Sequence, residues 1–213
     1  MRLVEDRLRA EYVGLLAAMQ RTLVALETEL NYLLLPAKLQ LDRYERILVR
    51  GRLKDCESAV NSLRRRQESR GFDSEQPDQY SLTSLPDLVG VRILTFPQVR
   101  FAEAQKIVAA RIPRWESDHI LADDPTDQPI ALKYHGVWHP DDTFPSEIQV
   151  VSLLIGLFWE VEHSAIYKPA PNLRGVAESI AMKGRTAAVL TSLRQFEQEF
   201  SDQLAHSLDL PPA

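Results

Sequence analysis

The sequence predicts an α+β fold, a mixed β-sheet flanked by helices with further helical segments at both ends. Three patterns carry that expectation. In the N-terminal part, Val13, Leu16, Met19, Leu23, Leu26 and Leu30 recur at spacings of three or four, which lines one face of a helix. From Ile47 onward, short β-branched or alternating runs take turns with helix-spaced stretches. From Asn172 to Leu208 the pattern is helical again, as one or two helices.

Taken in order, Pro36 ends the first helix or starts a turn, because proline lacks the amide hydrogen that would continue it. Ile47-Leu48-Val49 reads as a strand leading into Arg50-Gly51-Arg52. Asp55 is placed to cap a helix over residues 56–70. A polar loop containing Gly71 and Pro77 follows. Leu88 to Phe96 is strand-like, with Asp87 just before it. Phe101, Ala104, Ile107, Val108 and Ile112 give a helix from Val99 to Ile112. Trp115 to Ile120 and Ile130 to Trp138 read as strands, and Glu147 to Val151 is an apolar run too short to be read as a helix. Leu153 to Tyr167 reads as a helix, mostly buried.

Composition narrows the function. A hydrophobic content of 45% is enough for a core, and a net charge of −5 argues against a general nucleic-acid binder while leaving room for a local basic site. Cys56 is the single cysteine, which excludes an intrachain disulfide and a thiolate metal cluster and fits a reducing cytosol. No apolar run is long enough to span a membrane, and Met1 to Asp6 lacks the apolar stretch of a signal peptide. The expected location is cytoplasmic.

Three segments could carry chemistry. In Arg50-Gly51-Arg52-Leu53-Lys54, strand geometry would project Arg52 and Lys54 from one face, where two cations suit a polyphosphate. The plainer alternative is a solvated basic face. In Asp87-Leu88-Val89-Gly90-Val91-Arg92, a carboxylate at a strand edge could hold Mg²⁺, or simply terminate a turn. Glu147 and Gln149 share a strand face, so Glu147 could assist a metal or accept a proton, or be a polar edge residue. Tyr134 in Lys133-Tyr134-His135-Gly136 could stack on a base, and His163 sits in an otherwise apolar helix. Walker A, dinucleotide, serine-hydrolase and metal-hydrolase patterns are absent.

In order along the chain, these segments resemble the synthetase domain of the RelA/SpoT family, especially the small single-domain alarmone synthetases. Arg52-Leu53-Lys54-Asp55-Cys56-Glu57-Ser58 is similar to the family's Arg-x-Lys-Ser-x-Glu-Ser segment, and Asp87-Leu88-Val89-Gly90-Val91-Arg92-Ile93 to its Asp-Leu-Ile-Gly-x-Arg-Ile segment. Glu147-Ile148-Gln149 matches its Glu-Ile-Gln, and Phe158 to Lys168 resembles its Trp-Ala-Glu-Ile-Glu-His…Tyr-Lys helix.

The resemblance implies a nucleotidyltransferase-like sheet and transfer of pyrophosphate from ATP to the 3′ hydroxyl of GTP or GDP. It implies a synthetase domain over residues 41–170, with helical extensions over 1–40 and 171–213. It assigns Asp87 and Glu147 to Mg²⁺ and catalysis, and Arg52, Lys54, Ser58 and Arg92 to ATP. It gives Tyr134, His135, Gln149 and His163 to the acceptor, and it implies a homo-oligomer.

The acceptor side departs from the family. The loop Gly-Tyr-Arg-Ser-x-His aligns with Lys133-Tyr134-His135-Gly136-Val137-Trp138-His139, where only the tyrosine is kept. Arg-Thr after Glu-Ile-Gln-x is replaced by Val151-Ser152, and a polar helix position falls at Gly156. Lost hydrogen-bond partners weaken discrimination of a guanine. Arg64-Arg65-Arg66 favours an alternative, a toxin subgroup that modifies the tRNA 3′ end or makes an adenosine alarmone beside an antitoxin. A further alternative is a degenerate nucleotide-binding relative.

Overall fold

In a computed structural model, residues 2–70, 80–121, 129–163, 165, 175 and 180–208 are described. The elements are α1 (Arg2–Leu33), α2 (Leu35–Lys38), β1 (Arg46–Leu53), α3 (Cys56–Arg70), β2 (Val89–Phe96) and α4 (Gln98–Arg111). They continue with β3 (Glu116–Leu121), β4 (Pro129–Gly136), β5 (Ser146–Ser152), α5 (Leu153–Glu162) and α6 (Ile180–Leu208). The expected mixed sheet is present, with strand order β1-β2-β5-β4-β3. Only β2 and β5 run parallel; the other neighbours are antiparallel. The polar loop around Gly71 and Pro77, and the positions Tyr167, Lys168, Asn172 and Val176, lie outside the described residues.

One face of the sheet carries the main core. Ile47, Val89, Val91, Ile93, Leu132, Tyr134, Ile148 and Val150 alternate inward and meet α1, α3 and α4. The apolar stripe of α1 is part of this core: Leu8, Met19, Leu26 and Leu30 are fully buried, with Tyr12, Leu15 and Leu23 beside them. Val13 does not belong to that stripe; it is 71% exposed, because the row passes through Tyr12 and Leu15 instead. Gly51 lets α1 come close, since a Cβ there would lie 2.5 Å from the Glu27 side chain. The Glu27 carboxylate accepts the Gly51 amide at 2.6 Å, which satisfies a donor on edge strand β1.

The other face is divided along its length. At one end Leu48, Leu94, Val151, Ala131 and Ile120 sit side by side in register beneath α5 and α6. Gly156 allows this packing: a Cβ there would lie 2.4 Å from Leu94 Cδ2. Ser152 caps α5, its side chain accepting the Ile155 amide. Only Ile155 and Gly156 of α5 are buried, so the expectation of a mostly buried helix is corrected. Trp159, Glu160 and Glu162 of the helix border an open cleft over the polar end of the face.

Candidate active site

Strand pairing builds that polar end as two rows. Arg50, Arg92, Gln149, Lys133 and Asp118 are successive cross-strand partners, and Arg52, Gly90, Glu147, His135 and Glu116 form the next row. Partners in register present their side chains on the same face. Residues of both rows line a cleft of about 670 Å³, together with Asp87, Trp159, Glu160, Glu162 and His163. Gly90 leaves the floor bare between Arg52 and Glu147; a Cβ there would meet nothing nearer than the Glu147 carbonyl oxygen at 3.8 Å.

Asp87 ends the turn that enters β2. Its Oδ2 is bonded by the Lys54 ammonium, with Arg52 at 4.0 Å. Burial would raise the Asp87 carboxyl, but the Lys54 hydrogen bond and the charges of Lys54, Arg52 and Arg66 outweigh it and hold the group below the ordinary aspartate value. Lys54 is itself placed by backbone bonds, its carbonyl accepting Tyr12 Oη–H at 2.8 Å and its amide donating to Leu88 at 2.9 Å.

Glu147 is buried near the start of β5. Arg92 Nε donates to Gln149 Oε1 at 3.0 Å, and Gln149 Nε2 donates to Glu147 Oε1 at 2.7 Å. Both ends of the Gln149 amide are thus fixed, and it orients the carboxylate. Glu147 Oε2 faces Lys133 Nζ at 3.9 Å and His135 Nε2 at 3.8 Å. Arg92 also donates to the Gly156 carbonyl at 3.4 Å, so α5 helps hold it. Burial and the neighbouring Arg52 lower the Arg92 guanidinium from its usual value.

These residues suit Mg²⁺. Asp87 Oδ1 is buried with no hydrogen-bond partner, a state that fits a hard cation. Among the described residues no group of three or more His, Cys, Asp or Glu gathers.

Of the residues expected from sequence, Arg52, Asp87, Arg92, Glu147, Gln149 and His163 line the cleft, and Lys54 and His135 reach its carboxylates. Ser58 is not among the lining residues; it is half-buried in the first turn of α3, where its amide donates to Asp55 Oδ1 at 2.8 Å. Tyr134 faces the opposite side, 6% exposed within the main core, so a stacking role there is corrected. Lys133 to Gly136 belongs to β4 rather than to a loop, and alternation along β4 sends Lys133 and His135 to the cleft and Tyr134 inward. The reading missed Arg50, Lys133, Trp159 and Glu160. A period-two reading of β1 and β4 finds the first two, since Arg50 shares a face with Arg52, and Lys133 with His135.

No protein-family profile matches the chain, and no curated protein sequence does. Solved structures do. The small alarmone synthetase 1 of Bacillus subtilis bound to AMPCPP is 16% identical, with 94% of this chain and all of that one covered at a TM-score of 0.66. The same enzyme bound to its product pppGpp is 15% identical, covering 92% and 97% at 0.67. A GTP pyrophosphokinase family protein of Streptococcus pneumoniae is 19% identical, covering 94% and 98% at 0.64. The resemblance read from four short motifs extends to the whole architecture: the chain has the fold of the small alarmone synthetases.

Proposed function

We propose that this chain is a pyrophosphokinase that moves the β,γ-pyrophosphate of ATP to the 3′ hydroxyl of GTP or GDP, making a guanosine alarmone. The observation that supports this best is the meeting of Asp87 and Glu147 in one cleft with Arg50, Arg52, Arg92 and Lys133. Phosphoryl chemistry demands positioning and charge neutralisation, and a cationic cradle flanked by two carboxylates meets that demand. The neighbours bound to AMPCPP and to pppGpp make ATP and a guanosine nucleotide the first donor and acceptor to test.

In this reading Arg52 and Lys54 hold the donor phosphates and Arg92 braces them from β2. Asp87 and Glu147 would hold Mg²⁺, which when bound neutralises polyphosphate charge. The acceptor 3′ oxygen forms a bond to the β-phosphorus. The bond from that phosphorus to the α–β bridging oxygen breaks, and AMP departs. Glu147, fixed by Gln149, is placed to take the hydroxyl proton. The exposed run Arg64, Arg65 and Arg66 on α3 favours a second acceptor class, the polyanionic tRNA 3′ end.

Incubation with ATP, Mg²⁺ and each of GTP, GDP, ATP and tRNA decides the acceptor. AMP release with GTP or GDP is expected. Release only with tRNA selects the second class, release with ATP alone makes an adenosine nucleotide the acceptor, and no release with any acceptor contradicts the proposal.

A further inference from the structure

Arg50 and Arg92 are direct cross-strand partners on the cleft face of β1 and β2. Like charges opposite each other on a sheet repel, so the pair needs an anion between them. Glu160, reaching down from α5, supplies one. Its Oε2 lies 3.4 Å from Arg50 Nη1, and its Oε1 lies 3.6 Å from Arg92 Nη1. One carboxylate thus bridges two guanidinium groups with one oxygen each. Two arginines converging on a pair of oxygens is also how phosphate is recognised.

From this geometry we infer that Glu160 is an internal competitor for the phosphate-binding site, filling the Arg50–Arg92 slot until a phosphoryl group displaces it. The inference rests on the proposed function, because it takes the polyphosphate of ATP as the displacing anion. Glu160 is 45% exposed and Arg50 is 50% exposed, so the bridge is solvated and weak enough to yield. A phosphate carries more charge than a carboxylate and makes more hydrogen bonds, which favours the exchange. Glu160 therefore lowers affinity for free anions and favours a ligand able to span both arginines.

The test is calorimetric titration of inorganic pyrophosphate, ATP with Mg²⁺, and adenosine into the wild type and Glu160→Gln. The amide keeps the size and the donor–acceptor shape while removing the charge. The inference predicts pyrophosphate and ATP binding about three- to tenfold tighter in the variant, the difference shrinking at high salt, with adenosine unchanged. Arg50→Gln in the Glu160→Gln background should remove the gain. Equal or weaker anion binding by Glu160→Gln overturns the inference and leaves the proposed function standing, since Glu160 would then be orienting the arginines. Failure of the wild type and the variant alike to bind ATP or pyrophosphate overturns both.

Discussion

At the scale of single residues, the same side chain acquires opposite character from its partners. Glu45 is 5% exposed and would be pushed up by burial, but Arg100 Nη2 donates to it at 2.6 Å and the Asp42 amide at 2.9 Å, so its carboxyl lies below the ordinary value. Glu197 is equally buried, but only Ser152 Oγ and the Leu154 amide answer it, so desolvation wins and its carboxyl lies above the ordinary value. The stability consequences therefore have opposite signs. Glu45 contributes stability that is complete above pH 4.5, its unfolded reference, and is lost as pH falls through the lower folded value. Removing its charge leaves the Arg100 guanidinium to Glu103, at 2.7 Å, and the Gln40 carbonyl, at 3.3 Å. Thermal melts should show Glu45→Gln well below the wild type at neutral pH, with the gap closing as the pH drops under 4.5. A gap independent of pH would contradict that reading.

At the scale of elements, α6 acts as a cap for two other helices. Glu197 accepts from Ser152, the residue that caps α5, and from the Leu154 amide. Ser201 Oγ accepts the Gln98 amide at the start of α4 at 3.4 Å. Phe196 and Phe200 pack beside these polar contacts, Phe200 with its ring centroid 5.1 Å from that of Phe96. Because α5 delivers the Gly156 carbonyl to Arg92 and Glu160 to the arginine pair, the seating of α6 bears on the site. Glu197→Gln removes the buried charge and keeps one oxygen able to accept from Ser152. It should melt at or above the wild type near pH 8 and converge with it near pH 4, because a raised folded value costs stability only as pH rises through it. Glu197→Ala should lose about 1–2 kcal/mol at both pH values, from an unsatisfied amide and a weakened cap. If the glutamine lost as much as the alanine near pH 8, the cap account would fail.

The sheet also shows where local patterns sufficed and where they did not. Alternation in Arg50/Arg52, Lys133/His135 and Glu147/Gln149 is a property of the strands themselves and is readable from the residues. That these pairs form two continuous rows depends on register, which long-range packing sets. Tyr134 shows the cost of preferring a motif to alternation: it stands between two polar residues of one strand, and strand geometry alone sends it inward. Val13 fell into the α1 stripe because its spacing to Leu16 is helical, while the true row runs one residue away through Tyr12. The pairing of Glu160 was not readable from local pattern, because its partners Arg50 and Arg92 lie far away in the chain, 110 positions in the case of Arg50, and are met only when α5 docks.

At the scale of the whole molecule, the arrangement is a sheet with one face fully used for the core and the other shared between packing and chemistry. Helices α1, α3 and α4 stabilise from one side, and α5 and α6 cover the apolar end of the other. The remaining polar end is left open as the cleft. Among the described residues no helix is long and apolar enough to cross a membrane. Such a scaffold fixes backbone positions under the charged rows, which in the proposed reaction lets them receive the nucleotide with little reorganisation.

In the proposed reaction these rows move a pyrophosphate group, with Glu147 at the point of transfer. ATP labelled at the β-phosphorus, with Mg²⁺ and GTP, puts it to the test in wild type and Glu147→Gln together. Wild type is expected to pass the label to the guanosine product and to leave unlabelled AMP. The variant, still folded and still binding AMPCPP, should be slower by about 10²-fold or more. Label retained on adenosine, or near-normal transfer by Glu147→Gln, would contradict it.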